Sequence, residues 1–168
     1  MLDIGGGTTG TSYIFDYSDD CWLLDPFVET VNTKFAGRID WENEMKFDVI
    51  VARGCFYYLS ESQIKKIPTM LNPNGVFVAN IFRYPTTGER EYETLDGEYG
   101  LEKWTFEDGI VTHELHPKNK NVIYTHQFVY RSWDEICKLL DGVSRYPYKK
   151  NSCLLTLGLT SHKVLYNT

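Results

Sequence analysis

Asp3, the glycines at positions 5, 6, 7 and 10, and Asp25 are the residues whose types and spacing point most directly to chemistry. Glycine lacks a Cβ and reaches backbone angles that other residues resist, so a glycine cluster after an apolar strand makes a tight turn. Such a turn lets a nucleotide approach the backbone closely. It also leads into a helix N-terminus, whose first N–H groups have no partner inside the helix. Asp3 is a carboxylate within the otherwise apolar run Met1-Leu2-Asp3-Ile4. A buried acid must be hydrogen-bonded, so Asp3 is expected to hold the glycine turn or the polar end of a ligand. Asp25 follows Gly5 by about 20 residues, the interval at which dinucleotide-binding folds place an acid for ribose hydroxyls. Gly5-x-Gly7-x-x-Gly10 also matches the G-x-G-x-x-G fingerprint of such folds. Two plainer readings stand beside these: a glycine-rich turn that binds nothing, and Asp25 as N-cap of a helix opening with Pro26. Because a carboxylate has two oxygens, capping and ribose binding can coexist.

These residues need a sheet whose strands end side by side. Cys21-Trp22-Leu23-Leu24, Phe47 to Ala52 and Val76 to Phe82 are continuous apolar runs of the kind buried on both faces of a parallel sheet. Ala36 to Asp40 is a shorter strand candidate. Helices are expected over Thr8 to Asp16, over Phe27 to Phe35, and from a Ser60 or Ser62 cap through Ile64 and Ile67 to the break at Pro68. Asn72-Pro73-Asn74-Gly75 reads as a turn. This alternation implies right-handed crossovers. Arg83 to Gly100 is polar and reads as a long loop. Leu101 to Tyr130 alternates around Glu107-Asp108-Gly109 and a second turn at His116 to Asn121, which predicts an antiparallel meander. Ser132-Trp133-Asp134-Glu135 is a capping box for a helix that Gly142 ends. Two strands, around Tyr146 to Tyr148 and Ser152 to Leu159, close the chain.

The length of 168 residues suits a single domain, 1–168, with 83–131 as an inserted loop and meander. The insert reads as a substrate lid, or else as a meander that widens the sheet or makes a dimer contact. The net charge of −6, without a basic block, argues against a nucleic-acid partner. Cys21, Cys55, Cys137 and Cys153 are widely spread and form no C-x-x-C, which fits a reducing, cytoplasmic setting and no metal site. No apolar run is long enough to span a bilayer, so no membrane partner is expected. A strand beginning at Met1 has nothing ahead of it, which implies either a minimal form or a missing upstream helix.

Four stretches in order carry a family resemblance: Leu2-Asp3-Ile4-Gly5-Gly6-Gly7, Leu23-Leu24-Asp25, Phe47-Asp48-Val49-Ile50-Val51, and Leu71-Asn72-Pro73-Asn74-Gly75-Val76-Phe77-Val78. Together they resemble a class I S-adenosylmethionine-dependent methyltransferase of the small-molecule type. Asp3-x-Gly5-x-Gly7 is similar to that family's glycine loop, and Leu71 to Gly75 is similar to its L-K-P-G-G turn. The resemblance implies a Rossmann-like α/β fold: a mostly parallel seven-stranded sheet with helices on both faces, an antiparallel C-terminal strand pair and the inserted antiparallel β-meander. It implies that Asp3, Gly5, Gly6 and Gly7 hold the methionine end of S-adenosylmethionine. It further implies that Asp25 takes the ribose hydroxyls, with Pro26 and Phe27 near the adenine. Asp40 would accept from the adenine amino group with Trp41 beside the ring, and the Arg53 backbone would face the methionine moiety. The implied activity is direct transfer of the methyl group to an oxygen or nitrogen of a small-molecule acceptor. The chain departs from the pattern at Thr9, where the family's third glycine falls one place late as Gly10, and in lacking the helix before the first strand.

Arg53-Gly54-Cys55-Phe56 is not an Asn-Pro-Pro-Tyr type motif, which argues against adenine-N6 or glutamine-amide methylation. An acceptor that must lose a proton needs a base. Tyr57, Tyr58, His113 and His126 are the candidates, each with packing or surface exposure as the plainer role. Cys55 is a nucleophile only if its pKa is depressed; otherwise it is an inert buried thiol. Two other functions fit parts of the chain. One is an NAD(P)-dependent reductase built on Gly5-x-Gly7-x-x-Gly10. The other is a degenerate methyltransferase fold serving as a binding partner.

Overall fold

In the computed structural model, which describes residues 1–6, 20–25, 35–82, 87–93, 99–118, 121–149 and 152–158, the apolar runs become neighbouring strands. They are β1 (Leu2–Ile4), β2 (Trp22–Leu24), β3 (Gly37–Arg38), β4 (Phe47–Arg53) and β5 (Leu71–Phe82). The chain divides into two units, Met1–Phe82 with Trp133–Thr168, and Arg83–Ser132. The first holds a seven-stranded sheet, which the late strands β10 (Ser144–Lys149) and β11 (Ser152–Leu157) complete in the order β10-β11-β5-β4-β1-β2-β3. Pairing is parallel from β3 through β5 and antiparallel at β5–β11 and β11–β10.

Side chains alternate across a strand, and register lines them up across this sheet. Leu2 faces Ile50, Ile50 faces Phe77, Ala79 faces Leu155, and Ile81 faces Cys153. All of these are buried in one cluster, joined by Ile64, Ile67, Met70, Ile136 and Leu140. Each large apolar side chain fully buried here contributes roughly 1.5–3 kcal/mol. Ile64 comes from helix α1 (Glu61–Lys66) and Ile136 from α2 (Trp133–Leu139), and both helices pack on this same cluster. These are the α-helices among the described residues. The expectation of helices on both faces therefore rests on Thr8 to Asp16 and Phe27 to Phe35, of which only Phe35 is described, buried beside Cys21 and Leu23.

Local chemistry explains the boundaries. Ser60 caps α1: its Oγ accepts from the Gln63 N–H at 3.2 Å and the Gln63 side chain accepts from the Ser60 N–H at 2.7 Å. Glu61 in the first turn and Lys65 and Lys66 in the last match the helix dipole. Pro68 has no N–H to continue the α pattern, and the chain tightens into a 3-10 turn over Ile67–Met70. The turn expected at Asn72 to Gly75 is corrected to a bulge inside β5. Leu71 pairs with Phe47 and Val76 with Val49, so the residues between them loop out of the ladder. Asn74 there adopts φ +69, and Asn72 Nδ2 donates to Asp48 Oδ1 at 2.9 Å. A bulge is where a strand tolerates proline.

The second unit is a four-stranded antiparallel sheet of β6 (Gly88–Glu93), β7 (Tyr99–Glu107), β8 (Ile110–Pro117) and β9 (Tyr124–Val129), in that order. The long loop expected over Arg83 to Gly100 is corrected by β6, which pairs Gly88 with Trp104 and Arg90 with Glu102. Its run of glutamates reads as loop because an edge strand carries charge that a central strand would not tolerate. The hairpin at Asp108-Gly109 has φ +50 and +78, both positive as a type I′ turn requires.

Candidate cofactor site

The carboxyl ends of the parallel strands bring Gly5, Asp25 and the chain after β3 and β4 to one edge of the sheet. Gly5, just past β1, has φ +70, and its N–H donates to the Leu24 carbonyl at 2.9 Å, so the turn leans towards Asp25. Ile39 N–H reaches the Leu23 carbonyl at 2.9 Å, which brings the chain after β3 to the same edge. After β4, Gly54 takes φ +68 and donates to the Asn80 carbonyl at 2.9 Å. Cys55 follows and touches the first turn directly, its Sγ 3.2 Å from the Ile4 carbonyl oxygen. A Cβ built on Gly5 would lie 2.4 Å from the Cys55 Cβ. Glycine at position 5 thus answers two demands at once, a left-handed backbone and a close approach.

Two acids flank this turn in burial. Asp3 is fully buried, on the sheet face opposite Leu2 and Ile4, and Asp25 is 7% exposed. The neighbouring Cys21 thiol is pushed up to about 11, first by burial and then by the negative charge of Asp3, against the pull of the N-terminal ammonium. Asp40 is exposed and its Oδ1 accepts from the Glu42 N–H at 3.1 Å. It lines a cleft of about 500 Å³ with Arg38, Ile39 and Asn43. Trp41 is half-buried against the main core cluster, and its carbonyl accepts from Lys66 Nζ. Gly6 is half-buried beside Gly5. Gly7, Pro26 and Phe27 lie outside the described residues, and the backbone of Arg53 ends β4 opposite Asn80.

The four candidate bases separate into two groups. Tyr57 is buried and Tyr58 is 44% exposed, both in a 3-10 turn just after Cys55. His113 and His126 belong to the second unit, opposite each other on β8 and β9. His113 Nε2 lies 2.6 Å from Glu102 Oε1, and Glu102 also binds Arg90. Burial pushes the Glu102 carboxyl up, but the hydrogen bonds from His113 and Arg90 outweigh it and hold the group below its ordinary value. Among the described residues, no group of three or more His, Cys, Asp or Glu could hold a metal ion, and no helix is long and apolar enough to cross a membrane. Sequence reasoning passed over Gly54 and treated Cys55 only as a thiol. A glycine directly after a strand is the signal that marks the first; the contact that the second makes with Ile4 spans 51 positions and leaves no local trace.

No protein-family model matches the sequence, and none of the curated proteins does. Solved structures do resemble the chain. An S-adenosylmethionine-dependent methyltransferase from Mesorhizobium loti superposes with a TM-score of 0.52 at 13% identity, covering 92% of this chain and 88% of that one. The glycopeptide N-methyltransferase MtfA superposes with a TM-score of 0.52 at 14% identity, covering 92% of this chain and 86% of its own. At such identities the likeness establishes the architecture: the chain has the fold of S-adenosylmethionine-dependent methyltransferases.

Proposed function

We propose that this protein transfers a methyl group from S-adenosylmethionine to an oxygen or nitrogen of a small-molecule acceptor. The observation that carries the reading is the meeting of the Gly5 turn, the buried Asp25 and the Gly54-Cys55 segment at the carboxyl ends of the parallel strands, where ligands of open α/β sheets bind. The residues present suit the cofactor. Gly5 at φ +70 makes the tight turn at the strand end, and Asp25 offers a buried carboxylate to ribose hydroxyls. The cleft beside Asp40 is wide enough for a base. When bound, S-adenosylmethionine supplies an electrophilic methyl on a sulfonium. The chain's part is alignment, exclusion of water and, for acceptors that must lose a proton, a base. Asp3, Gly5, Gly6, Gly7, Asp25, Pro26, Phe27, Asp40, Trp41 and the Arg53 backbone form the proposed cofactor site. The segment 83–131 is proposed to govern the acceptor, and a cytoplasmic location accompanies the reading.

Titration calorimetry with S-adenosylhomocysteine tests it, with NAD as control. Micromolar binding, about −8 kcal/mol, of the first alone supports the proposal. Binding of NAD or NADP instead replaces it with a reductase. Binding of neither leaves a non-catalytic fold.

A further inference from the structure

We infer that Cys55 is a positioning residue for the cofactor: its small side chain and its thiol proton hold the glycine turn after β1 in the shape that admits S-adenosylmethionine. The inference rests on the cofactor reading above and gives Cys55, which that reading places at the site without a role, a definite one. Residues 5 and 55 come from different crossovers, yet they are in van der Waals contact. A Cβ on Gly5 would meet the Cys55 Cβ at 2.4 Å and its Sγ at 3.0 Å. Backbone geometry places the Cys55 Cβ, so that atom cannot rotate out of the way, and the contact sets the Gly5 main chain against the base of the Cys55 side chain rather than against a flexible tip.

Cys55 is the fixed side of this contact. Gly54 just before it is tied to Asn80 by its N–H at 2.9 Å, and the Cys55 carbonyl accepts from the Tyr58 N–H at 3.0 Å. The next residue, Phe56, is fully buried and stacks on Phe77 at 6.1 Å in a tilted arrangement. The turn after β1 is the side that conforms, since Gly5 at φ +70 has backbone freedom that no other residue has there. The thiol then donates to the Ile4 carbonyl at 3.2 Å in a buried setting, a side-chain hydrogen bond that ties the end of β1 to the segment after β4. A bulkier residue at 55 would press on Gly5, and the turn of Gly5 and Gly6 would shift within the site proposed for the cofactor.

The test uses the full chain and S-adenosylhomocysteine, with the wild type and Cys55→Ser, Cys55→Ala and Cys55→Val. Serine keeps a donor of similar size, and its affinity is expected within about threefold of wild type. Alanine loses one hydrogen bond, and about fivefold weaker binding is expected. Valine crowds the turn, and roughly thirtyfold weaker binding is expected. Without ligand, the Gly5 and Gly6 amide resonances should move in the alanine and valine variants and return in the serine variant, a pattern that general destabilisation would not produce. Equal affinity of wild type and Cys55→Val overturns this inference alone, whereas no binding by wild type overturns the cofactor reading with it. Should Cys55→Val fail to fold, equal affinities of Cys55→Ala and Cys55→Ser overturn it.

Discussion

Gly5 and Gly109 adopt nearly the same backbone, φ +70 and +78, one in each unit of the molecule. Their surroundings differ. A Cβ on Gly109 would meet nothing within 4 Å, whereas one on Gly5 would collide with Cys55. In the antiparallel unit glycine serves only a hairpin. In the parallel unit it serves the turn that leaves β1 and the packing of that turn against Cys55 after β4. Buried acids divide in the same way. Glu102 lies within its sheet, held by Arg90 and His113 from neighbouring strands. Asp3 is buried in the middle of β1, and Asp25 lies just past β2, where the strand gives way to a loop. The first kind of burial stabilises a fold; the second, at Asp25, is where the proposed cofactor site would draw its ribose ligand.

The sharpest way to break this comparison is to add the same methyl group to both glycines. Gly5→Ala is expected to destabilise the protein by about 3 kcal/mol, combining left-handed strain with overpacking, and to abolish S-adenosylhomocysteine binding. Gly109→Ala is expected to cost about 1 kcal/mol from backbone strain alone and to leave binding unchanged. Paired thermal melts and calorimetry check both, and equal losses of affinity would erase the distinction.

The acids give the next largest effects. Asp25→Ala should weaken S-adenosylhomocysteine binding by about 1.5–3 kcal/mol, the range for hydrogen bonds to a charged group, with Asp25→Asn retaining part of it. Titration of the two variants reads this directly. Glu102→Gln should instead act on stability, by about 2 kcal/mol at neutral pH, below the full value for a buried pair because Arg90 is 60% exposed. Since the folded carboxyl titrates below its ordinary value of 4.5, its contribution is present above that pH and disappears as the pH falls through the folded value. Hydrogen exchange of the β7 and β8 amides in wild type and variant should therefore differ at pH 7 and converge near the acid limit. Persistence of the difference at low pH would remove ion pairing as its cause. Ser60→Ala, which removes the cap of α1, should cost about 1 kcal/mol and leave affinity untouched.

Local physics made much of this legible beforehand. The strands announced themselves as apolar runs, as Val49-Ile50-Val51-Ala52 does, although only Ile50 and Ala52 of these are buried, while Val49 is 37% exposed and the expected cover on both faces is not met there. The Asp108-Gly109 hairpin and the Ser60 cap were readable because each depends on residues only one to three apart. β6 was hidden because an edge strand has solvent on one side and carries Glu89, Arg90 and Glu91 without penalty. The Asn72 to Gly75 bulge was read as a turn because both use the same residues; only the continuation of β4 on either side makes it part of a strand.

The sequence by itself determined the apolar strands of the main sheet, the Ser60-capped helix, the glycine turn after β1 and the acid after β2, because these depend on side-chain chemistry and short-range backbone preference. Tertiary structure alone decided that Gly5 packs on Cys55, that Glu102 is shared by Arg90 and His113, and that β11 inserts beside β5. Each of these joins residues brought together by register and crossover, and a contact of that kind leaves no periodicity in the chain that forms it.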